Sequence, residues 1–368
     1  MPTISDSVMH VIANKVSHPK NSVPYLNYKV VITLRKWMLL FCFNSRTFDT
    51  SSKTEMAESE FIVINGIATQ VLKYGAISKK AEKKFLFLII PGNPGVAEYY
   101  EHFMQVLYEN SGKRVPVWAI AHTGHVSIPK EHSTTSQMDV HHLNKVCSLE
   151  GQVQNKVSFI RQYIPKDVSL ILIGHSIGCY MIIKMLEEVD QSHVHRCFLL
   201  FPTIERMKTS PNGIVATPIL KYLRWLVTSF VYCTSYLSPA SKYKLLAWYF
   251  KDKNVNPCIL NASMHLFDPL CAGNAMYMAH QEMQTVDKLD VDLIQKHLSK
   301  LSFYYGQSDR WCPKEYCHGM RKSFFHGDIR LCEKGFSHAF VIDASREMAD
   351  TVWEWLHTSL DPKDELLK

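Results

Sequence analysis

Three residues of this chain are of types that can together break an acyl bond: Ser176, Asp309 and His338. A serine hydroxyl is a poor nucleophile until a histidine takes its proton, and that histidine needs a carboxylate to fix its tautomer. Ser176 stands at the centre of Gly174-His175-Ser176-Ile177-Gly178, directly after the apolar run Val168-Ser169-Leu170-Ile171-Leu172-Ile173 and before a stretch of helical periodicity. A serine held in a sharp strand-to-helix turn requires nearly side-chain-free residues two positions before and after it. The hydroxyl then stands clear above a sheet, beside a helix N-terminus that favours developing negative charge. By itself the pentapeptide is weak, because glycine and serine are common, so its setting has to decide.

The setting supplies the partners in the order serine, acid, histidine. Asp309 follows the run Leu301 to Tyr305 through Gly306-Gln307-Ser308, and His338 follows Asp328 to Cys332 through Glu333-Lys334-Gly335-Phe336-Ser337. Each lies just beyond a strand, where a parallel-sheet enzyme keeps its site. Glu205 and Asp343 are alternative acids, although Arg206 and Lys208 make Glu205 read as a solvated helix start, and Asp343 is close to His338 along the chain. His265, His297 and His326 read as helical or wrongly placed relative to a strand. An oxyanion needs two backbone N–H donors. One is expected from Ile177, after the nucleophile, and one from the loop Pro91-Gly92-Asn93-Pro94-Gly95, where Asn93 is the candidate because proline has no N–H. That loop also reads as a plain Gly/Pro turn, and with no Gly-Lys-Ser/Thr after it a P-loop is excluded.

The elements that must hold these residues alternate. Phe61 to Asn65 and Thr69 to Lys73 read as short strands joined at Asn65-Gly66, a hairpin signal. Phe85 to Ile90 is a continuous apolar run, the pattern of a strand buried on both faces. A helix near Ala97 to Asn110, a strand at Val117 to Ala121 and a helix over Ser148 to Ile164 precede the serine strand. The helix after it is expected to reach about Val189, with further strands at Cys197 to Phe201, Leu301 to Tyr305 and Asp328 to Cys332. A helix from Ser345 to Leu360 closes the chain. Such alternation predicts an α/β fold, a mostly parallel sheet flanked by helices.

Residues 207–298 interrupt the pattern. A polar turn, Ser210-Pro211-Asn212-Gly213, leads into a strongly apolar segment with no charge from Trp225 to Ser241. Trp225, Phe230, Tyr232, Tyr236, Trp248, Tyr249 and Phe250 make it aromatic, and Lys221, Arg224, Lys242 and Lys244 flank it. Pro239 predicts two helices meeting in a hairpin. The plainer reading is a helical cap over the active site. The sharper one is a hairpin, residues 214–250, lying in a lipid surface without spanning it. Both can hold together.

Bulk composition fits a globular enzyme: 368 residues, 46% hydrophobic and 20% charged, with a net charge of +7. The basic residues are dispersed, so nucleic acid is not an expected partner, and weak attraction to anionic membranes is the more natural consequence. The ten cysteines form no disulfide framework and no Cys-x-x-Cys pair; they read as reduced thiols. Cys312 and Cys317 have no matching zinc partners, His141-His142 reads as a solvated pair, and no cofactor or metal is expected. Residues 1–56 read as a disordered extension before the domain at 57–368. The apolar run Trp37 to Phe43 is too short for the ~20 residues that span a bilayer, and no clear cleavage site follows it.

Ile90-Pro91-Gly92-Asn93-Pro94-Gly95, Gly174-His175-Ser176-Ile177-Gly178, Phe201-Pro202-Thr203-Ile204-Glu205-Arg206 and Tyr304-Tyr305-Gly306 together resemble the lipid droplet-associated hydrolases of the α/β-hydrolase superfamily. The resemblance runs from about Glu58 to the C-terminus. It implies an α/β-hydrolase fold with an apolar helical cap, with Ser176 as nucleophile and Asp309 and His338 as the charge relay. It further implies a serine esterase on the cytosolic side of the lipid droplet and endoplasmic reticulum, attached without spanning. The implied substrates are sterol (cholesteryl) esters or related neutral lipids, with a part in cholesterol and neutral-lipid homeostasis. An acyltransferase or thioesterase on the same site, and a weakly active lipid-droplet scaffold, remain as alternatives.

Overall fold

A computed structural model describes residues 57–78, 83–129, 144–251, 253 and 255–359. The 1–56 extension with its Trp37 to Phe43 run, and the His141-His142 pair, lie outside the described residues. Strands β1 (Glu58–Ile64) and β2 (Ile67–Tyr74) form an antiparallel hairpin. Its turn is Asn65-Gly66 with φ of 52° and 83°, the left-handed pair that matches the twist of the flanking strands. Then follow β3 (Lys84–Ile90), helix α1 (Glu101–Asn110), β4 (Val117–Ile120), α2 (Leu149–Tyr163), β5 (Val168–His175), α3 (Ile177–Met185) and β6 (Val194–Leu200).

The insertion carries α4 (Pro211–Ser235), α5 (Pro239–Phe250), α6 (Pro257–Met264), α7 (Pro269–Thr285) and α8 (Val291–His297). The chain then returns through β7 (Leu301–Gly306), α9 (Lys314–Ser323), β8 (Asp328–Cys332) and α10 (Ser345–Ser359). The eight strands form one sheet in the order β1-β2-β4-β3-β5-β6-β7-β8. It is parallel from β4 through β8, and only β1–β2 and β2–β4 pair antiparallel. Helix α1 packs against α10 and α2 against α3. Covered this way, Leu86 through Ile90 of β3 have no exposed surface at all, each such side chain contributing roughly 1.5–3 kcal/mol of burial.

Several boundaries differ from expectation, among them the starts of β1, β6 and α1, and two differences have a clear physical reason. Helix α3 stops at Met185 and loosens into tight turns, with Glu187 N and Glu188 N reaching back only three residues. Glu187, Glu188 and Asp190 crowd this end, and negative charge is unfavourable at a helix C-terminus. Ser210-Pro211-Asn212-Gly213 is not a turn but the start of α4: the Ser210 hydroxyl accepts from Gly213 N, with Pro211 at the first helical position. Serine and proline serve both turns and helix starts, so composition alone could not separate them. The expected break at Pro239 is present, with Ser238 capping α5, but the two helices pack on other partners rather than on each other: α4 lies against α7, and α5 against α6.

Helix α4 runs 25 residues and is, by length and composition, the one described helix long and apolar enough to cross a membrane; 17% of its most apolar stretch is buried. Pro218 lies inside it, followed by a wide turn at Ile219–Leu223, the local rearrangement expected where a proline removes a backbone donor.

Candidate active site

The serine turn is built by close approach. Ser176 adopts φ 52° and ψ −121°, a conformation L-residues avoid unless their surroundings impose it. Its N–H donates to Leu200 O at 3.0 Å, and its carbonyl accepts from Cys179 N at 3.0 Å. A Cβ at Gly178 would strike the carbonyl oxygens of Ile90 and Pro91, and one at Gly174 would lie 2.9 Å from Cys179 N. Both flanking glycines are therefore demanded by packing. Gly92 belongs to the same cluster, because a Cβ there would lie 2.9 Å from Ser176 Cβ.

The structure brings Ser176, His338 and Asp309 into one hydrogen-bonded line. His338 Nε2 is 2.9 Å from Ser176 Oγ, and His338 Nδ1 is 2.6 Å from Asp309 Oδ2. Asp309 Oδ1 accepts from Trp311 N at 2.7 Å and Cys312 N at 3.2 Å, and the Cys312 thiol donates to Oδ2 at 3.1 Å. Burial opposes the charge on Asp309, but the adjoining His338 imidazole, the thiol and the Trp311 amide outweigh it and hold the carboxyl below its usual range. An ionised Asp309 can only accept, so Nδ1 carries the proton and Nε2 is left bare to accept from the serine hydroxyl.

The alternative acids and bases stand outside this line. Glu205 pairs with Arg206 at 2.8 Å. Asp343 accepts from the Ser337 hydroxyl at 3.1 Å, and burial pushes its carboxyl up to about 6. His265 bonds Glu98 at 3.1 Å, and neither His297 nor His326 bonds Ser176 or Asp309.

Ile177 is the first residue of α3, so its N–H has no carbonyl one turn back to bond. In the 91–95 loop, Gly92 N donates to Tyr100 Oη at 2.8 Å and Gly95 N to Gly92 O at 2.7 Å. Proline has no N–H, so among the described residues Asn93 supplies the one loop amide without an intramolecular acceptor. The Asn93 side chain points away, its Nδ2 donating to Glu282 Oε1 at 2.8 Å and Ala275 O at 2.9 Å of α7.

Four residues of this neighbourhood escaped the sequence reading: Cys312, Glu282, Tyr100 and His175. Cys312 carried a signal in its place three residues after Asp309, within reach of the same carboxylate. His175 carried one as a titratable residue beside the nucleophile. Tyr100 and Glu282 carried none. Asp309, Cys312 and His338 bring three potential metal-ligand atoms within 4.8 Å of one another, but the thiol and the imidazole are both committed to the same carboxylate oxygen. The nine described cysteines are free thiols, eight of them buried.

The solved structures that resemble this one define its class. An esterase from Exiguobacterium antarcticum aligns with a TM-score of 0.51 at 15% identity, covering 82% of this chain and 100% of that one. The haloalkane dehalogenase DbeA from Bradyrhizobium elkani aligns at 0.55 and 12%, covering 82% and 98%. Such distant likeness speaks for the fold alone, and the fold is that of the α/β hydrolases. A family model described as lipid-droplet associated hydrolase matches residues 83–341. The lipid droplet-associated hydrolase of Gallus gallus is 42% identical over 308 residues, covering 82% of this chain and 95% of its own. That of Homo sapiens is 40% identical over 333 residues, covering 87% and 99%. The chain belongs to the lipid droplet-associated hydrolase family.

Proposed function

We propose that this protein is a serine hydrolase of carboxylic esters, acting on neutral lipids such as sterol esters at a lipid-droplet surface. The observation that carries the reading is the 2.9 Å and 2.6 Å line from Ser176 through His338 to Asp309. Ser176 Oγ attacks the ester carbonyl while its proton passes to His338 Nε2, and Asp309 stabilises the imidazolium that forms. The amides of Ile177 and Asn93 receive the oxyanion. The alkoxide then leaves with the proton from His338, and water repeats the sequence on the acyl-enzyme to release the acid. The charge relay needs no metal.

The lipid half of the reading rests on the insertion. Trp225, Phe230, Tyr236 and Trp248 are each 64–74% exposed, and no residue of the Arg224–Ser235 segment is buried. Aromatic side chains with basic neighbours suit the boundary between headgroups and acyl chains. The relatives, named lipid droplet-associated hydrolases, favour the same surface. Attachment of the 214–250 hairpin to the cytosolic face of droplets and endoplasmic reticulum, and a part in cholesterol and neutral-lipid homeostasis, follow as consequences of this proposal.

A fluorophosphonate probe tests the chemistry. Wild-type protein should be labelled and Ser176→Ala should not; equal labelling of the two would remove Ser176 as the nucleophile.

A further inference from the structure

The mechanism above uses neither Tyr100 nor His175, yet both are buried at the centre of the site, 3% and 6% exposed. Tyr100 Oη lies 2.8 Å from Gly92 N and 2.6 Å from His175 Nδ1, and His175 Nε2 lies 2.8 Å from the backbone oxygen of His338. Only one arrangement of protons satisfies all three contacts. The His338 carbonyl can only accept, so His175 Nε2 carries a hydrogen. Burial first, then the neighbouring His338, drives the His175 imidazole down to about 3, so the ring is neutral and Nδ1 is bare. Nδ1 must then accept from the Tyr100 hydroxyl, whose oxygen in turn accepts from Gly92 N–H. The chain has a single direction: Gly92 N–H to Tyr100 O–H to His175, and His175 Nε2–H to His338 C=O.

We infer that His175 and Tyr100 are positioning residues, which fix the oxyanion loop and the general-base histidine to each other and to the nucleophile through this one directional relay. Gly92 is the residue before Asn93, whose amide is offered to the oxyanion. Held by Tyr100, the Gly92 amide cannot turn toward substrate, and the peptide that follows is fixed in aim. At the other end, the carbonyl of His338 is tied to the residue that immediately precedes Ser176. The three parts that must agree to within a fraction of an ångström follow β3, β5 and β8, far apart along the chain. One imidazole touches two of them and its tyrosine partner the third.

The surroundings hold the relay rigid. The His175 ring meets Phe340 edge-on at 5.0 Å and Phe201 edge-on at 6.3 Å, and Phe340 also packs against Tyr100 at 6.4 Å. Aromatic walls of this kind exclude the water that would otherwise replace any of the three bonds. A loss of orientation here acts on the rate, because a misplacement of about 1 Å can cost on the order of 100-fold.

The relay rests on the proposed nucleophile, so the experiment separates the two. Rates of fluorophosphonate labelling, and kcat and KM for the soluble ester p-nitrophenyl butyrate, are measured for wild type, Tyr100→Phe, His175→Gln and His175→Asn, each with its melting temperature. A glutamine amide nitrogen falls where imidazole Nε2 was, so His175→Gln keeps the donor to His338 O and loses the acceptor for Tyr100. An asparagine oxygen can fall where Nδ1 was, so His175→Asn keeps the acceptor and loses the donor. Tyr100→Phe should lower labelling and kcat roughly tenfold, and His175→Asn roughly 100-fold, with KM little changed. The proton on His338 Nδ1, seen by NMR, should shift or broaden in His175→Asn and persist in His175→Gln. Wild-type rates in all three variants, or losses that vanish once compared at equal distance below each melting temperature, would overturn the relay alone. A wild-type chain that takes no probe would remove the nucleophile and the relay with it.

Discussion

The site and the exposed apolar segment of the insertion obey opposite rules. Around Ser176 every close approach is specified: two glycines where any Cβ would collide, a buried carboxylate with four hydrogen-bond donors, and a tautomer fixed at each ring. Along Arg224–Ser235 nothing is buried, and the large aromatics face outward. Among the described residues nothing covers these side chains, and clusters of exposed large apolar groups mark places of interaction. The core packs within the described residues, whereas the exposed segment, on the function proposed above, is completed by an apolar phase outside the chain. Chemistry and attachment should therefore be separable by mutation.

The largest expected effect lies on the chemical side. Asp309→Asn keeps the shape of the acid, but its amide can present N–H to the imidazole and favour the wrong tautomer. Hydrolysis of p-nitrophenyl butyrate should fall roughly 10⁴-fold, while binding to a phospholipid-coated triolein emulsion stays at the wild-type level. A variant that lost both together would show that the two regions are one cooperative unit.

The converse variant replaces Trp225, Phe230 and Trp248 with serine. Each gives up most of the roughly 1.5–3 kcal/mol available from inserting a large apolar side chain. Allowing for partial insertion, a combined loss of about 4 kcal/mol, or roughly a thousandfold in emulsion partition, is expected. Turnover of the soluble ester should not change. Retention on the emulsion would direct the search for the attachment surface away from this segment.

The same contrast explains what could be read in advance. The succession of strands and helices, the serine turn and the placing of Asp309 and His338 were legible because each rests on a local pattern: an apolar run, a glycine spacing, a titratable residue just past a strand. The exposed apolar segment was legible as a composition, since an apolar stretch without charge needs no partner to be noticed. What lay out of reach were contacts made across the sequence by packing. Tyr100 reaches His175 75 residues away, and Glu282 reaches Asn93 across 189; no spacing rule anticipates either. The start of α4 departs from expectation for a different reason, because Ser-Pro-Asn-Gly satisfies the demands of a turn and of a capped helix equally well.

Glu282 shows that the insertion does not belong wholly to the outward-facing regime, and it offers the smallest and most specific test. Helix α7 buries this carboxyl against the Asn93 side chain, and burial, only partly offset by that hydrogen bond, pushes it from 4.5 up to about 7. Between these values the folded protein keeps a proton that the unfolded chain has released, so stability falls as pH rises through that window and levels off above it. The difference corresponds to roughly 3 kcal/mol. Glu282→Gln retains an oxygen for Asn93 Nδ2 and has no charge to bury. Its advantage over wild type in urea unfolding should be absent near pH 4.5, grow through pH 6, and reach about 3 kcal/mol above pH 7. Parallel stability curves across that range would mean that water already reaches the carboxylate, and that α7 joins the exposed region rather than the enclosed one.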